Sequence, residues 1–334
     1  MPEHSAHLNA DPEKVIEPLA ALAEQNGFAV LRENGTCTID APLGYVKIID
    51  RTGGAGIVFG ADTAAKLQSL KDLYAQRIAN IGMIEAIEWE TPEARIPLNQ
   101  KLTRVISKEQ ISKNFMRVRL EGDFTAFMEP GAGLHFRLLF NLSGSERPSL
   151  DDRGITHWPG GPANWHKPVY TVRIMSPDAD WIDMDVVLHD GGRVTEWCSD
   201  LKDGTEIAIM GPNGGGIPQA SWFGLIGDET ALPVMMRIIE AAPAEASGQA
   251  IIFVRDWNDA QEIATHSKIQ VSWAQMGKDD PVEAVHLLQP EGEDYHIFFA
   301  AERRQASQAR EIFREREFAP RLCKAASYWT ASQN

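Results

Sequence analysis

Residues 167–216 restrict the fold more than any other stretch of the chain. They open with Lys167-Pro168-Val169-Tyr170-Thr171-Val172-Arg173, an extended run rich in β-formers. A second β-pattern passes through Met184, Val186, Leu188 and His189. Gly191-Gly192-Arg193-Val194-Thr195-Glu196-Trp197 then leads into a short helix predicted over 194–201. A helix start presents unpaired N–H groups and a positive dipole end, which suits a phosphate. Arg193 adds a cation and Thr195 a hydroxyl to the same few residues. A last strand pattern runs from Ile207 to Gly211-Pro212. The fold must therefore bring two strands to a glycine-led helix entrance that can hold an anion.

With 334 residues the chain has room for two or three domains with their own cores. Its formal net charge of -15 argues against a nucleic-acid partner held by its phosphates. No apolar run approaches a membrane span, and the N-terminus lacks a basic or apolar signal region. A cytoplasmic protein without membrane insertion is expected. Cys37, Cys198 and Cys323 are far apart, which argues against a disulfide framework or an all-cysteine iron–sulfur cluster. Asp183 and Asp185 straddle Met184 with no third ligand nearby, so a solvated strand face is expected there and no metal site.

Along the chain, 11–26 reads as an amphipathic helix with Val15, Leu19, Leu22 and Ala23 on one face. Four short strands follow, the first two joined through Asn34-Gly35, and Asp62 and Thr63 offer caps for a helix carrying Leu67, Leu70, Tyr74 and Ile78. This αββββα order defines an accessory α+β domain over 1–87, with a polar linker at 88–100. Strands at 104–107, 115–120 and 134–140 indicate a small antiparallel β-barrel within 101–219, with 143–166 a loop. Apolar strands at 222–226, 251–254, 271–273 and 297–300 alternate with helices from Ala231 and Arg303. That pattern predicts a parallel α/β domain over 220–334 with a C-terminal tail.

Tyr170-Thr171-Val172-Arg173, Asp185-Val186-Val187-Leu188-His189, Gly211-Pro212 and Gly227-Asp228-Glu229-Thr230-Ala231-Leu232-Pro233 stand in one order over more than half the chain. Together they resemble the siderophore-interacting protein family. The first 87 residues resemble a small domain of unknown function that accompanies such proteins. The resemblance implies a ferredoxin-reductase-like fold in which the barrel holds FAD and the α/β domain meets a nicotinamide nucleotide. It implies reduction of a ferric siderophore by flavin-centred chemistry, with no residue acting as acid or nucleophile. The related reductases that carry a cysteine-bound [2Fe–2S] centre are a different group, since this chain lacks the ligands.

On the same resemblance, Tyr170, Thr171, Val172, Arg173, Asp185 and His189 lie at the flavin, and Gly192, Arg193, Val194, Thr195 and Trp197 seat its diphosphate. Asp228 and Thr230 mark the nicotinamide approach, and Trp329 belongs to the closing Tyr-Trp motif. Arg303 and Arg304, with Lys268, are expected to line the pocket for the ferric chelate. Two positions depart from the pattern. Pro168 stands where such proteins carry a diphosphate-binding arginine, and Arg193 is expected to replace it with Lys167 in reserve. Thr330 stands where an arginine commonly follows the Tyr-Trp pair, so NADH or a reduced ferredoxin is expected as donor over NADPH. Two alternatives remain: a flavin oxidoreductase with another acceptor, such as a quinone, haem or ferredoxin, and a binding protein of this fold without flavin.

Overall fold

The computed structural model describes residues 1–41, 43–90 and 95–331. Its contacts form two compact units, one of Met1–Lys101, Leu138–Pro168 and Ala208–Gly211, the other of Leu102–Arg137, Val169–Ile207 and Pro212–Asn334.

The first unit is built on a six-stranded sheet ordered Val30–Glu33, Thr36–Ala41, Gly44–Arg51, Gly54–Gly60, Glu3–Leu8, Ile87–Trp89. Asn34 and Gly35 take φ of 48° and 72°, the positive pair that a two-residue hairpin turn needs. Helices α1 (Glu13–Gln25) and α2 (Ala64–Asn80) place Val15, Leu19, Leu70 and Tyr74 in one core with Leu8, Ile39, Ile48, Ile57 and Phe59. Thr63 caps α2 by accepting from the Lys66 N–H at 3.1 Å. The strands Glu3–Leu8 and Ile87–Trp89 add to the αββββα order. The first is mostly polar around Ala6 and Leu8 and the second is three residues long, so neither carries an apolar period. The linker expected at 88–100 thus begins inside a strand, and its residues 91–94 lie outside the described residues.

The polar side of α2 grips the segment around Thr156. Asp72 accepts from the Thr156 N–H at 2.9 Å, the Thr156 hydroxyl at 2.6 Å and the Gln68 amide at 2.9 Å. Gln68 also donates to the Gly154 carbonyl at 3.1 Å. The span expected as loop at 143–166 contains short pairings, Ser149–Leu150 with Thr156–His157 and Trp165–His166 with His135–Asn141.

In the second unit Gln100–Ser112, Phe115–Glu121, Trp181–Val187 and Ile174–Met175 pair antiparallel in that order. Val169–Thr171 pairs with His135–Asn141, setting Tyr170 opposite Phe136 and Thr171 opposite His135. Helix α3 (Arg193–Asp200) turns Val194 and Cys198 inward, and the Lys108 ammonium closes its far end by donating to the Cys198 and Ser199 carbonyls at 2.8 and 3.0 Å.

The chain then enters a five-stranded parallel sheet ordered Lys268–Gln275, Ser247–Val254, Trp222–Asp228, Tyr295–Glu302, Cys323–Trp329. Every residue of Trp222–Asp228 is buried, as a central strand covered on both faces requires. Helix α4 (Leu232–Ala241) covers one face through Leu232, Met235 and Ile239. Helices α5 (Pro281–Val285) and α6 (Arg303–Glu315) cover the other through Val282, Val285, Ala309 and Phe313. The fifth strand gives no apolar run in the sequence, because at the sheet edge small residues alternate with exposed Lys324, Ser327 and Trp329. No helix among the described residues is long and apolar enough to cross a membrane.

Candidate functional site

Tyr170 is half-buried on its strand, and burial, with the Cys198 thiol of α3 adding to it, pushes the phenol far above its ordinary range. The ring is therefore a neutral, amphipathic face, with Cys198 of α3 as its neighbour on the helix. Thr171 and Val172 are buried beside it, and the Val172 N–H donates to the Leu134 carbonyl at 2.9 Å.

At the entrance of α3 the backbone is left open. Gly192, the N-cap, has no side chain to bond the first turn, and the N–H groups of Arg193, Val194 and Thr195 have no partner among the described residues. The Thr195 hydroxyl accepts from the His189 N–H at 3.1 Å, folding the loop back over the helix start. A Cβ on Gly192 would come within 2.7 Å of the His189 ring and 2.8 Å of the Thr195 hydroxyl, so a larger residue there would have to displace these two side chains. His189 and Arg193 are exposed, and Arg193 has no ion-pair partner among the described residues. Trp197 is half-buried one turn further along.

Other residues expected at the flavin are committed elsewhere. Arg173 is buried and grips Glu240 of α4 through two bonds of 2.9 and 2.7 Å, so it cannot serve a diphosphate. Arg173 lies beyond the end of the Val169–Thr171 strand, where its N–H donates to the Asp183 carbonyl at 2.8 Å. Asp185 accepts twice from Arg117, at 2.7 and 2.8 Å, directly across the strand pair. Asp183 does the same with Arg119, at 2.7 and 2.8 Å. The solvated face expected for these two aspartates is instead a buried ladder of bidentate pairs, with only 1% of either carboxylate side chain exposed. Lys167 belongs to the first unit, where its ammonium stands 4.3 Å from the centre of the Trp158 ring.

The carboxyl end of the parallel sheet gathers a second group. Asp228 accepts from the Thr230 N–H at 2.9 Å, the Thr230 hydroxyl at 2.5 Å and the Trp329 indole at 2.6 Å. Burial raises its carboxyl above the usual range, and these donors restrain the rise. Glu229 beside it pairs with Arg255, and burial raises its carboxyl likewise. Arg303 and Arg304 open α6 at the same end, both exposed and without an ion-pair partner among the described residues. Lys268 does not join them. It starts its strand level with Ser247 and Trp222 at the amino end and pairs with Glu245 at 2.6 Å, a strand length of roughly 20 Å from the carboxyl ends.

Several structural partners were not legible as such. His135 stands opposite Thr171, and its Nε2 meets the Tyr328 hydroxyl at 3.0 Å, which ties the last strand to the antiparallel sheet. Burial, helped by Lys324 and Arg237, lowers this histidine to about 4. Asp259, with no exposed surface, accepts from the Ser112 hydroxyl at 2.7 Å and from the Asn114 amide and N–H at 2.6 and 3.1 Å. Its only sequence signal is an aspartate in a polar loop. Among the described residues no group of histidine, cysteine and carboxylate side chains could hold a metal ion.

An antiparallel sheet with a glycine-led helix entrance, followed by a doubly covered parallel sheet, defines a two-domain flavin–nucleotide reductase class. Residues 104–216 match the siderophore-interacting FAD-binding domain, and 220–332 match the siderophore-interacting protein domain. The chain belongs to the siderophore-interacting protein family. It is similar to the ferric vibriobactin reductase ViuB of Vibrio cholerae, 29% identical over 250 residues that cover 70% of this chain and 90% of that protein. The NADPH-dependent ferric-chelate reductase of Escherichia coli is 26% identical over 241 residues, covering 68% of this chain and 91% of that protein. Among solved structures, the siderophore-interacting protein SipS from Aeromonas hydrophila shares the fold at a TM-score of 0.59, with 24% identity over 73% of this chain and 94% of that one.

The residues fit FAD. The open N–H groups of α3 and the unpaired Arg193 suit a diphosphate, while half-buried Tyr170 suits the flat face of the ring system.

Proposed function

We propose that this chain is an FAD-dependent reductase of ferric siderophores, taking electrons from a reduced nicotinamide nucleotide and releasing Fe(II) in the cytoplasm. FAD, when bound, would supply the redox chemistry that links a two-electron donor to a one-electron acceptor. Tyr170 and Thr171 hold the flavin edge, and Arg193 with the N–H groups of Val194 and Thr195 holds its diphosphate. Asp228, Thr230 and Trp329 hold the nucleotide side. Arg303 and Arg304, cations in a chain of net charge -15, draw an anionic chelate toward the sheet end. Release follows because the hard oxygen donors of a siderophore hold Fe(II) far less tightly than Fe(III). Residues 1–87 serve as an accessory domain outside the redox chemistry, with 101–219 the flavin domain and 220–334 the nucleotide domain.

The observation that carries this reading is the open α3 entrance with an unpaired cation on it, in a chain whose relatives are named for ferric reduction. The test is spectroscopic. The purified protein should show a flavin band that a reduced nucleotide bleaches and a ferric siderophore restores, with Fe(II) captured by a chromogenic chelator. A colourless protein would turn the reading to the flavin-less binding protein. A flavin that quinone, haem or ferredoxin reoxidises faster than the ferric chelate would turn it to another acceptor. Reduced ferredoxin, set against the nucleotides in the same bleaching experiment, tests the remaining donor class.

A further inference from the structure

In parallel sheets that bind dinucleotides, the residues just past the second strand read the adenosine ribose. An acidic side chain there takes the 2′-hydroxyl, whereas an arginine takes a 2′-phosphate. Here the first strand, Trp222–Asp228, lies beside the second, Ser247–Val254, in parallel register, with Asp228 opposite Phe253. The residues that leave the second strand are Arg255-Asp256-Trp257-Asn258-Asp259.

Arg255 is fixed at its root and open at its tip. Its N–H donates to the Glu229 carboxylate at 3.0 Å and its guanidinium pairs with the same group. Glu229 is only 7% exposed, while the Arg255 side chain is 51% exposed. Asp256, the acid that could read a ribose hydroxyl, is already engaged. Its Oδ1 accepts from the Asn258 N–H and amide at 3.0 and 2.8 Å, and its Oδ2 meets the Lys113 ammonium at 3.2 Å. Trp257 is 54% exposed although it sits in a turn that buried Asp259 pins to Ser112 and Asn114. The loop therefore holds still a free aromatic face and a forked cation, with its one candidate ribose acid occupied.

We propose that Arg255 and Trp257 form an adenosine 2′-phosphate subsite, the arginine binding the phosphate and the indole stacking on adenine, so that NADPH is the preferred nucleotide. The subsite rests on the nucleotide-donor part of the proposed function and names its member. It reverses the preference for NADH expected from Thr330, because the cation absent there is supplied from the second strand instead. A guanidinium matches a phosphate with paired bonds that a neutral hydroxyl cannot form.

Calorimetric titration of the flavin-loaded protein with 2′,5′-ADP and 5′-ADP tests this without any turnover. The wild type should bind 2′,5′-ADP at least about tenfold more tightly, the effect of one charge-assisted contact. Arg255→Gln should remove that ratio, and Trp257→Ala should weaken both ligands alike and keep it. Equal binding of the two nucleotides by the wild type, or a ratio that survives in Arg255→Gln, overturns the proposal. The wild-type ratio decides the matter even if the variant folds poorly. Reoxidation of the photoreduced flavin by a ferric siderophore, followed separately, tests the reductase reading with no nucleotide present, so the two can fail independently.

Discussion

Replacing Asp259 by alanine removes the acceptor of three hydrogen bonds, two from Asn114 and one from Ser112. These bonds hold the loop after the second parallel strand against the hairpin between Gln100–Ser112 and Phe115–Glu121. A hydrogen bond to a charged acceptor is worth ~1.5–3 kcal/mol, but the three share one carboxylate and water can reach the half-buried donors once it is gone. A net loss of about 2–4 kcal/mol is expected, or roughly 5–10 °C in the melting temperature of a chain this size. Asp259→Asn separates acceptor chemistry from packing. It keeps the volume yet turns an amide NH₂ toward groups that themselves donate, so it should lose more than half as much as alanine. The assay is guanidinium unfolding of the flavin-loaded protein, followed in parallel by flavin release and circular dichroism, since a chain of two units need not unfold in one step. If Asp259→Ala stays within ~0.5 kcal/mol of wild type, the loop is not held by this carboxylate. Arg255 and Trp257 would then not be presented on a rigid loop.

Arg193→Ala should release FAD on gel filtration, with affinity about tenfold lower and the far-ultraviolet spectrum unchanged; full flavin retention would refute its role at the diphosphate. Arg303→Glu together with Arg304→Glu should slow reduction of an anionic ferric siderophore and flatten its salt dependence at unchanged flavin content, and an unaltered rate would return both to a solvated helix face. His135 and His296 both lie near about 4, lowered first by burial and then by Lys324, so the folded protein excludes protons that the unfolded chain accepts below about 6.5. Their stabilisation is complete above that value and is lost as pH falls toward 4, at up to ~1.4 kcal/mol per pH unit each; the unfolding midpoint should drop across this window, and His135→Gln should reduce the slope.

The parts legible in the sequence are those with a strong local cause. The run 222–226 is apolar throughout because helices cover both faces of its strand, and Asn34-Gly35 marks a hairpin because both residues take positive φ. The glycine-led start of α3 was legible for the same reason: Gly191 takes φ of 69°. Strands with mixed surroundings were not. Cys323–Trp329 lies at a sheet edge with alternate residues in water, and Glu3–Leu8 buries little more than Ala6 and Leu8. Pairing across the sheet was the hardest to read, because it depends on register. Nothing local distinguishes Asp185, which is bound by Arg117 on the neighbouring strand, from an aspartate facing solvent. Lys268 misled for a topological reason, since a parallel strand has its ligand-facing end at the carboxyl side and Lys268 begins its strand.

Bidentate commitment of a guanidinium marks scaffold in the second unit, whereas Arg255, paired to Glu229 through Nε, keeps half of its side chain exposed. Arg117, Arg119 and Arg173 each meet one carboxylate through two bonds, and in each pair at least one partner is buried. Removing one partner from such a pair strands the other charge away from water, so these arginines are structural however closely their sequence positions approach a cofactor motif. Arg193, Arg303 and Arg304 are the opposite case: each stands in the first turn of a helix with its guanidinium exposed and in no ion pair among the described residues. A cation is disfavoured by the positive end of a helix, so Arg193 costs stability at the uncapped start of α3 unless an anion arrives to neutralise both charges, whereas at α6 the Glu302 carboxylate already caps the helix end. A chain of net charge -15 had acidic side chains available to pair with them. Leaving them unpaired at helix entrances is the arrangement expected if their partners are a diphosphate at α3 and an anionic chelate at α6. The two entrances can be told apart by salt. Added salt should slow the chelate reaction through screening at exposed α6, while flavin held at α3 by direct backbone N–H contacts should stay bound. Loss of flavin at the same ionic strength that slows chelate reduction would show that the α3 entrance is no more enclosed than α6.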